Sequence, residues 1–173
     1  MPSRAVRPPA EPWIRLSPGF EGEYPGCSHR ATETFLNIGV LTGAVRSAIE
    51  AYVTSAGLPS SAAFNVLTIV AGADGPLRPS VIAGRMMVTR ATITGVLDSL
   101  ETRGLIERLA SEGDRRARDV SITAAGRRLV RRLEPRLHRF EHDFMTVLSD
   151  DELDELLRMV AVLEERLGAV SLA

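Results

Sequence analysis

Residues 77–123 read LRPSVIAGRMMVTRATITGVLDSLETRGLIERLASEGDRRARDVSIT, and the order of signals along them decides the fold. Pro79 stands near a helix start with Ile82, Ala83 and Met86 on one face, and Thr89 is placed to cap a second helix that runs through RATITGVLDSLETRG. In that second helix Ile93, Val96, Leu97 and Leu100 fall at i, i+3, i+4 and i+7, so one stripe is buried. Ala91, Thr94, Gly95 and Asp98 then face outward, and small side chains there let a backbone approach a groove closely. After Gly104, LIERL and RDVSIT alternate as two short strands, and the ASEGDRRA between them holds Gly113 with Asp114, Arg115 and Arg116. A helical pair followed by a basic hairpin is the plan of a winged helix-turn-helix. Its partner is expected to be double-stranded DNA.

The whole chain carries a net charge of −1, which conceals a polarity along its length. Residues 78–132 contain 12 Arg against 6 acidic residues, a local charge of +6, whereas residues 133–173 contain 4 Arg against 10 acidic residues, a local charge of −6. The basic block coincides with the proposed DNA-binding unit, so the local count outweighs the global one. All 21 basic residues are arginine, whose planar fork suits bidentate phosphate contacts, although GC-rich coding produces the same bias. Arg127, Arg128, Arg131 and Arg132 serve equally well as an ordinary solvated helix face.

The 173 residues suit one domain, and 45% hydrophobic content supports a core. A single cysteine, Cys27, excludes an intrachain disulfide framework. No stretch is apolar for long enough to span a bilayer, and MPSRAVRPPAEPW lacks the apolar centre of a secretory signal, so a cytoplasmic protein with no membrane partner is expected.

The fold class read from these patterns is mainly α: a winged helix-turn-helix with a two-stranded β-wing and long N- and C-terminal dimerisation helices. Residues 1–30 form a proline-rich arm with 6 of the 10 prolines, which excludes regular helix over most of it. Trp13, Ile14, Leu16, Phe20 and Tyr24 are placed to anchor that arm onto the body, of the same chain or across a subunit boundary. Residues 31–60 hold the first dimerisation helix, from about Thr32 to Ala56, and Ser60 or Ser61 caps the next one. Residues 61–123 form the DNA-binding lobe, and its wing is the only sheet expected. Residues 124–173 carry the C-terminal dimerisation helices, the first with Leu129, Leu133, Leu137, Phe140 and Phe144 on one stripe and a kink expected at Pro135. Ser149 and Glu152 make a capping box for the last, whose apolar face is Leu153, Leu156, Leu157, Val160, Leu163 and Leu167. Together these helices present more apolar surface than a thin monomer covers, and a symmetric homodimer is the economical solution.

The segment VTRATITGVLDSLETRGLIERLASEGDRRARDVSITAAG resembles the multiple-antibiotic-resistance regulator (MarR) family, whose pattern has a Ser or Thr cap, an Arg-Ala-Thr recognition segment, a Leu-Glu-x-Arg-Gly-Leu helix exit, an Asp-x-Arg wing and a closing x-Leu-Thr-x-x-Gly, with nearly every element legible here. The likeness continues upstream through LPSSAAFNVL and downstream through LSDDELDELL, covering about residues 31–168. Gly95 and Ser99 stand where many relatives carry larger polar or basic side chains, and Val81 where an acidic residue is common, so base preference does not carry over.

The resemblance implies a homodimeric regulator, a repressor released from a pseudo-palindromic operator by a small lipophilic or aromatic effector, with no cofactor. The DNA-binding set is Ser80, Thr89, Arg90, Thr92, Thr94, Arg115, Arg116 and Arg118. Arg116 occupies the wing position that in similar proteins enters the minor groove, with Asp114 supporting a neighbouring arginine. Arg90, in the first turn of the recognition helix, is suited to guanine O6 and N7, and the threonines to phosphates or thymine methyls. In relatives an effector fills a cleft between dimerisation helices and DNA-binding lobe, for which Trp13, Phe35, Phe64 and His142 are the candidate lining here.

Three further constellations compete with this reading. His138-Arg139-Phe140-Glu141-His142 spells H-x-x-E-H, which on a walled catalytic helix means zinc hydrolysis. The same histidine pair, His138 and His142, is a candidate for metal sensing, and Cys27 beside His29 and Arg30 for redox sensing; some relatives use such residues. The histidines lie on the far flank of their helix's apolar stripe, and neither a Gly-rich phosphate loop nor a nucleophile elbow is present, so no enzyme is expected.

Overall fold

The computed structural model describes residues 11–170 apart from residues 87, 112 and 113; of residues 90, 111 and 114–117 the backbone alone is described. Residues 1–10 of the arm and Gly113 of the hairpin therefore lie outside the described residues. The chain divides into two compact units, one through Ser61 and the other from Ala62 onward.

The first unit contains α1 (Phe20–Glu23) and α2 (His29–Ser55). Helix α2 begins three residues earlier than its apolar pattern suggests, because Ser28 is in extended conformation and accepts a hydrogen bond from the Ala31 N–H. Its 27 residues span about 40 Å at the usual helical rise. It ends in a Schellman motif: Leu58 N–H reaches Val53 O at 3.2 Å, Gly57 N–H reaches Thr54 O at 3.0 Å, and Gly57 takes φ +92°. Val53 and Leu58, which flank that turn, are both buried.

The arm is held to α2 through the backbone groups of Ile14 and Leu16. Asn37 pairs with Ile14 through both amide atoms, accepting from Ile14 N–H at 3.0 Å and donating to Ile14 O at 2.9 Å, and Glu33 accepts from Leu16 N–H at 3.1 Å. Ile14 and Leu16 are half-buried, and Trp13 is 69% exposed within the single chain.

The second unit contains the rest of α3 (Ser61–Ala71), then α4 (Pro79–Met86), α5 (Arg90–Thr102), β1 (Ile106–Ser111), β2 (Asp114–Ile122), α6 (Ala124–Met145) and α7 (Asp150–Leu167). Its buried side chains include Phe64, Val66, Leu67 and Val70 of α3, Ile82 of α4, Ile93, Leu97 and Leu100 of α5, Ile106, Val120 and Ile122 of the strands, and Val130, Leu133 and Leu137 of α6. Each fully buried leucine or isoleucine stabilises the lobe by roughly 1.5–3 kcal/mol relative to exposure. Strands β1 and β2 pair antiparallel from Ile106↔Ile122 through Ala110↔Arg118, where the register shifts. Among the described residues this is the only sheet, with one addition that alternation did not reveal: Leu77 exchanges both backbone hydrogen bonds with Val120, at 2.9 and 2.8 Å. Both backbone groups of Val120 are thus taken by Leu77, while Arg108 stands opposite it on the β1 side.

Thr123 caps α6 by accepting from Gly126 N–H at 3.1 Å, and the helix continues through Pro135. Helix α7 starts at the expected capping box, with Ser149 N–H donating to Glu152 Oε2 at 2.7 Å. Leu153 and Leu156 are half-buried, whereas Leu157, Val160, Leu163 and Leu167 remain exposed. No helix among the described residues is long and apolar enough to cross a membrane.

Candidate nucleic-acid interface

Helices α4 and α5 pack against one another, and α5 packs against β1. The turn between the helices is short because Val88 N–H returns to Ala83 O at 3.1 Å and Thr89 at once opens α5. Thr89 is extended, accepts from the Thr92 N–H at 3.2 Å, and meets the Thr92 hydroxyl at 3.0 Å. With Ile93, Leu97 and Leu100 turned inward, Thr92, Thr94, Gly95 and Asp98 lie exposed on the opposite face. A Cβ at Gly95 would meet open space, so this face is shallow there.

Ser80 is exposed in the first turn of α4, and Arg118 is exposed on β2 opposite Ala110. Arg90 occupies the first position of α5, and Asp114, Arg115 and Arg116 the outer end of β2; their side chains lie outside the described residues. The candidate DNA set thus falls on three elements of one lobe, α4, α5 with its cap, and β2. Of the four arginines in the first half of α6, Arg127 donates to Ala71 O at 3.2 Å and so closes the C-terminal end of α3, while Arg128, Arg131 and Arg132 are exposed.

One group central to this lobe escaped the sequence reading. Arg108 of β1 donates through Nη2 to Asp98 Oδ1 at 2.6 Å and through Nη1 to Glu101 Oε2 at 2.9 Å, tying the wing to the outward flank of α5. Spacing assigns each of these residues to a face, but not the partner that the face meets. Ile106 and Arg108 share a strand face, and Asp98 and Glu101 share a helix flank at i, i+3.

The effector candidates are dispersed in exposure. Phe35 of the first unit is 76% exposed, whereas in the second unit Phe64 is buried and His142 exposed. Two cavities in the first unit are lined by other residues. One of about 340 Å³ runs between Pro12 and the Glu33, Thr34, Asn37, Ile38 and Leu41 side of α2, and one of about 420 Å³ lies along Arg46, Ser47, Glu50, Ala51 and Thr54.

His138 Nδ1 lies 3.0 Å from Glu141 Oε2 on the surface of α6, with both side chains more than half exposed. That geometry is an ordinary i, i+3 surface pair, without the walls a hydrolytic site requires. No group of three or more His, Cys, Asp or Glu able to hold a metal occurs among the described residues. Cys27 is a free, exposed thiol.

Comparison with known proteins agrees with the lobe's geometry. The family model described as "MarR family" matches residues 60–117. The HTH-type transcriptional repressor YetL of Bacillus subtilis (strain 168) is 31% identical over 137 residues, 79% of this chain and 81% of YetL. Among solved structures, the S. aureus MepR–DNA complex superposes with a TM-score of 0.68 at 21% identity, covering 79% of this chain and 97% of that one. CouR from Rhodococcus jostii RHA1 bound to p-coumaroyl-CoA superposes with a TM-score of 0.64 at 22% identity, covering 73% and 87%. These two likenesses are likenesses of fold.

Proposed function

The chain belongs to the MarR family of winged-helix transcription regulators, not enzymes, and from that premise we propose that it is a homodimeric repressor that grips a pseudo-palindromic duplex and releases it when a small aromatic or lipophilic ligand binds. The observation that carries the reading is the shallow face of the Thr89-capped helix α5, set beside a wing that the Arg108 bridge ties to it. A helix with small outward residues enters a major groove closely, and an arginine-bearing strand pair beside it is placed for the flanking backbone or minor groove. Ser80, Thr89, Arg90, Thr92, Thr94, Arg115, Arg116 and Arg118 are the residues proposed to touch DNA, with Asp114 supporting the wing.

Support for the dimer comes from α7. Leu157, Leu163 and Leu167 are 66%, 55% and 74% exposed along one helix, a run of apolar surface that a second copy would cover. Effector control rests on relatives. CouR was captured with p-coumaroyl-CoA, and an aromatic ligand is proposed for this chain on that ground. Such a protein would work on DNA in the cytoplasm.

Selection of duplexes from a randomised pool by the purified protein tests the proposal. Enriched sequences are expected to contain inverted repeats whose half-sites lie about one helical turn apart, roughly 34–36 Å. Enrichment of single, unpaired motifs, or of no duplex at all, would remove it.

A further inference from the structure

We propose that Arg108 is a positioning residue for DNA recognition, which holds the base of the wing against the recognition helix and covers two carboxylates on that helix's flank. The proposal rests on the winged-helix reading above. Strand β1 alternates, and Ile106, 2% exposed, fixes which of its faces is inward. Arg108 follows two residues later on that same face, with its side chain 25% exposed. There it meets Asp98 and Glu101, one turn apart on α5, and gives each carboxylate a different terminal nitrogen, at 2.6 and 2.9 Å. Only a planar guanidinium spans two carboxylates in this way; a lysine ammonium is a single point.

The placement along the wing matters as much as the contact. Arg108 faces Val120 across the ladder, and Val120 is bonded on its other side to Leu77. At this level the strand pair is fixed to the lobe by backbone on one edge and by the guanidinium on its inner face. Two residues further out, between Ala110 and Ser111, the register shifts, and beyond it lies the outer end of β2, which starts at Asp114. A tether just before that irregularity sets the angle at which the basic end of β2 leaves α5.

The second consequence is electrostatic. Asp98 is exposed on the outward side of α5, where an uncovered carboxylate would repel phosphates. With Arg108 bridging, the three groups carry a net −1 in place of −2.

The test uses the full chain and two probes: the duplex that the wild-type protein enriches from a randomised pool, and a random-sequence duplex of equal length. Failure of the wild type to enrich a duplex defeats the winged-helix reading; the inference about Arg108 is judged on variants once that step succeeds. The decisive variant is Asp98→Ala with Glu101→Ala, because two opposite signs are at stake. Removing two negative charges beside DNA strengthens binding to every duplex if the carboxylates act only through their field. If the bridge positions the wing, affinity for the selected duplex falls about tenfold while affinity for the random duplex holds or rises, so discrimination contracts. Arg108→Ala is expected to contract discrimination likewise with an unchanged slope of log affinity against log salt, and Arg108→Lys to restore part of it. Selected-duplex affinity equal to or tighter than wild type in the double variant overturns the proposal. So does a salt slope lowered by about one phosphate equivalent in Arg108→Ala, which would make Arg108 a direct phosphate contact.

Discussion

Gly126 lies so close to Leu105 that a Cβ on it would collide with the Leu105 carbonyl oxygen and stand 2.9 Å from Ile122 Cγ1. The same carbonyl accepts the Thr123 N–H at 3.1 Å, and the Thr123 hydroxyl donates to Gly104 O at 2.7 Å while accepting from Gly126 N–H. Gly104 itself, at φ +67°, closes α5 through a second Schellman turn, with Leu105 N–H on Leu100 O at 3.0 Å and its own N–H on Glu101 O at 2.8 Å. The exit of the recognition helix and the start of α6 are therefore one welded corner. Displacement of α6 by a ligand or a partner would be felt at α5 through it.

Gly126→Ala is expected to destabilise the protein by roughly 1–3 kcal/mol, the usual range for forcing atoms into filled space. Urea unfolding read by circular dichroism measures it. A midpoint indistinguishable from wild type would mean that the corner opens freely and transmits nothing.

Arg90 and Arg116 are expected to fail in different ways. Arg90→Ala should lose roughly 1–3 kcal/mol at one base pair and relax preference there, as expected of a base-edge contact. Arg116→Ala should weaken binding to all duplexes and flatten the salt slope by about one phosphate equivalent if it acts through charge. Affinity measured on a panel of single-base operator variants at several salt concentrations separates them. Uniform losses across the panel for both variants would refute this division between helix and wing.

Much of this lobe was legible because its signals are local. Thr89, the Ile93–Leu100 stripe, Gly104 and the alternation on either side of the wing tip each act within one helical turn or one strand, and short-range stereochemistry enforces them. The Ser149–Glu152 box at α7 was readable for the same reason. What escaped depends on the packing of elements. Arg108 reaches 10 residues back to Asp98, Leu77 pairs with Val120 across three intervening elements, and Asn37 clasps Ile14 from 23 residues away. No periodicity encodes such partners. The hold on Ile14 and Leu16 goes through their backbone groups, which leave no trace in side-chain hydrophobicity.

Acid should loosen the start of α3. Glu50 accepts the Ser61 N–H at 2.7 Å, and hydrogen bonding from Ser61, side chain first and backbone second, holds its carboxyl below the ordinary value of 4.5. A lowered pKa in the folded state stabilises above the ordinary carboxylate value, and that contribution is lost as pH falls through the lowered one. Glu50→Gln should therefore be less stable than wild type near neutrality, with the difference shrinking below about pH 4.5. Thermal unfolding of both proteins between pH 3 and 7, conditions chosen to bracket the carboxylate range, reads this directly; a constant difference across that range would assign the loss to packing.

Two winged-helix lobes of one dimer are proposed to read a single DNA duplex. Sedimentation velocity of the protein with the selected duplex, and with each of its strands alone, measures how many chains bind. Two chains per duplex and little association with either separate strand are expected. A complex of one chain per duplex, or equal affinity for single and double strands, would refute the dimeric reading.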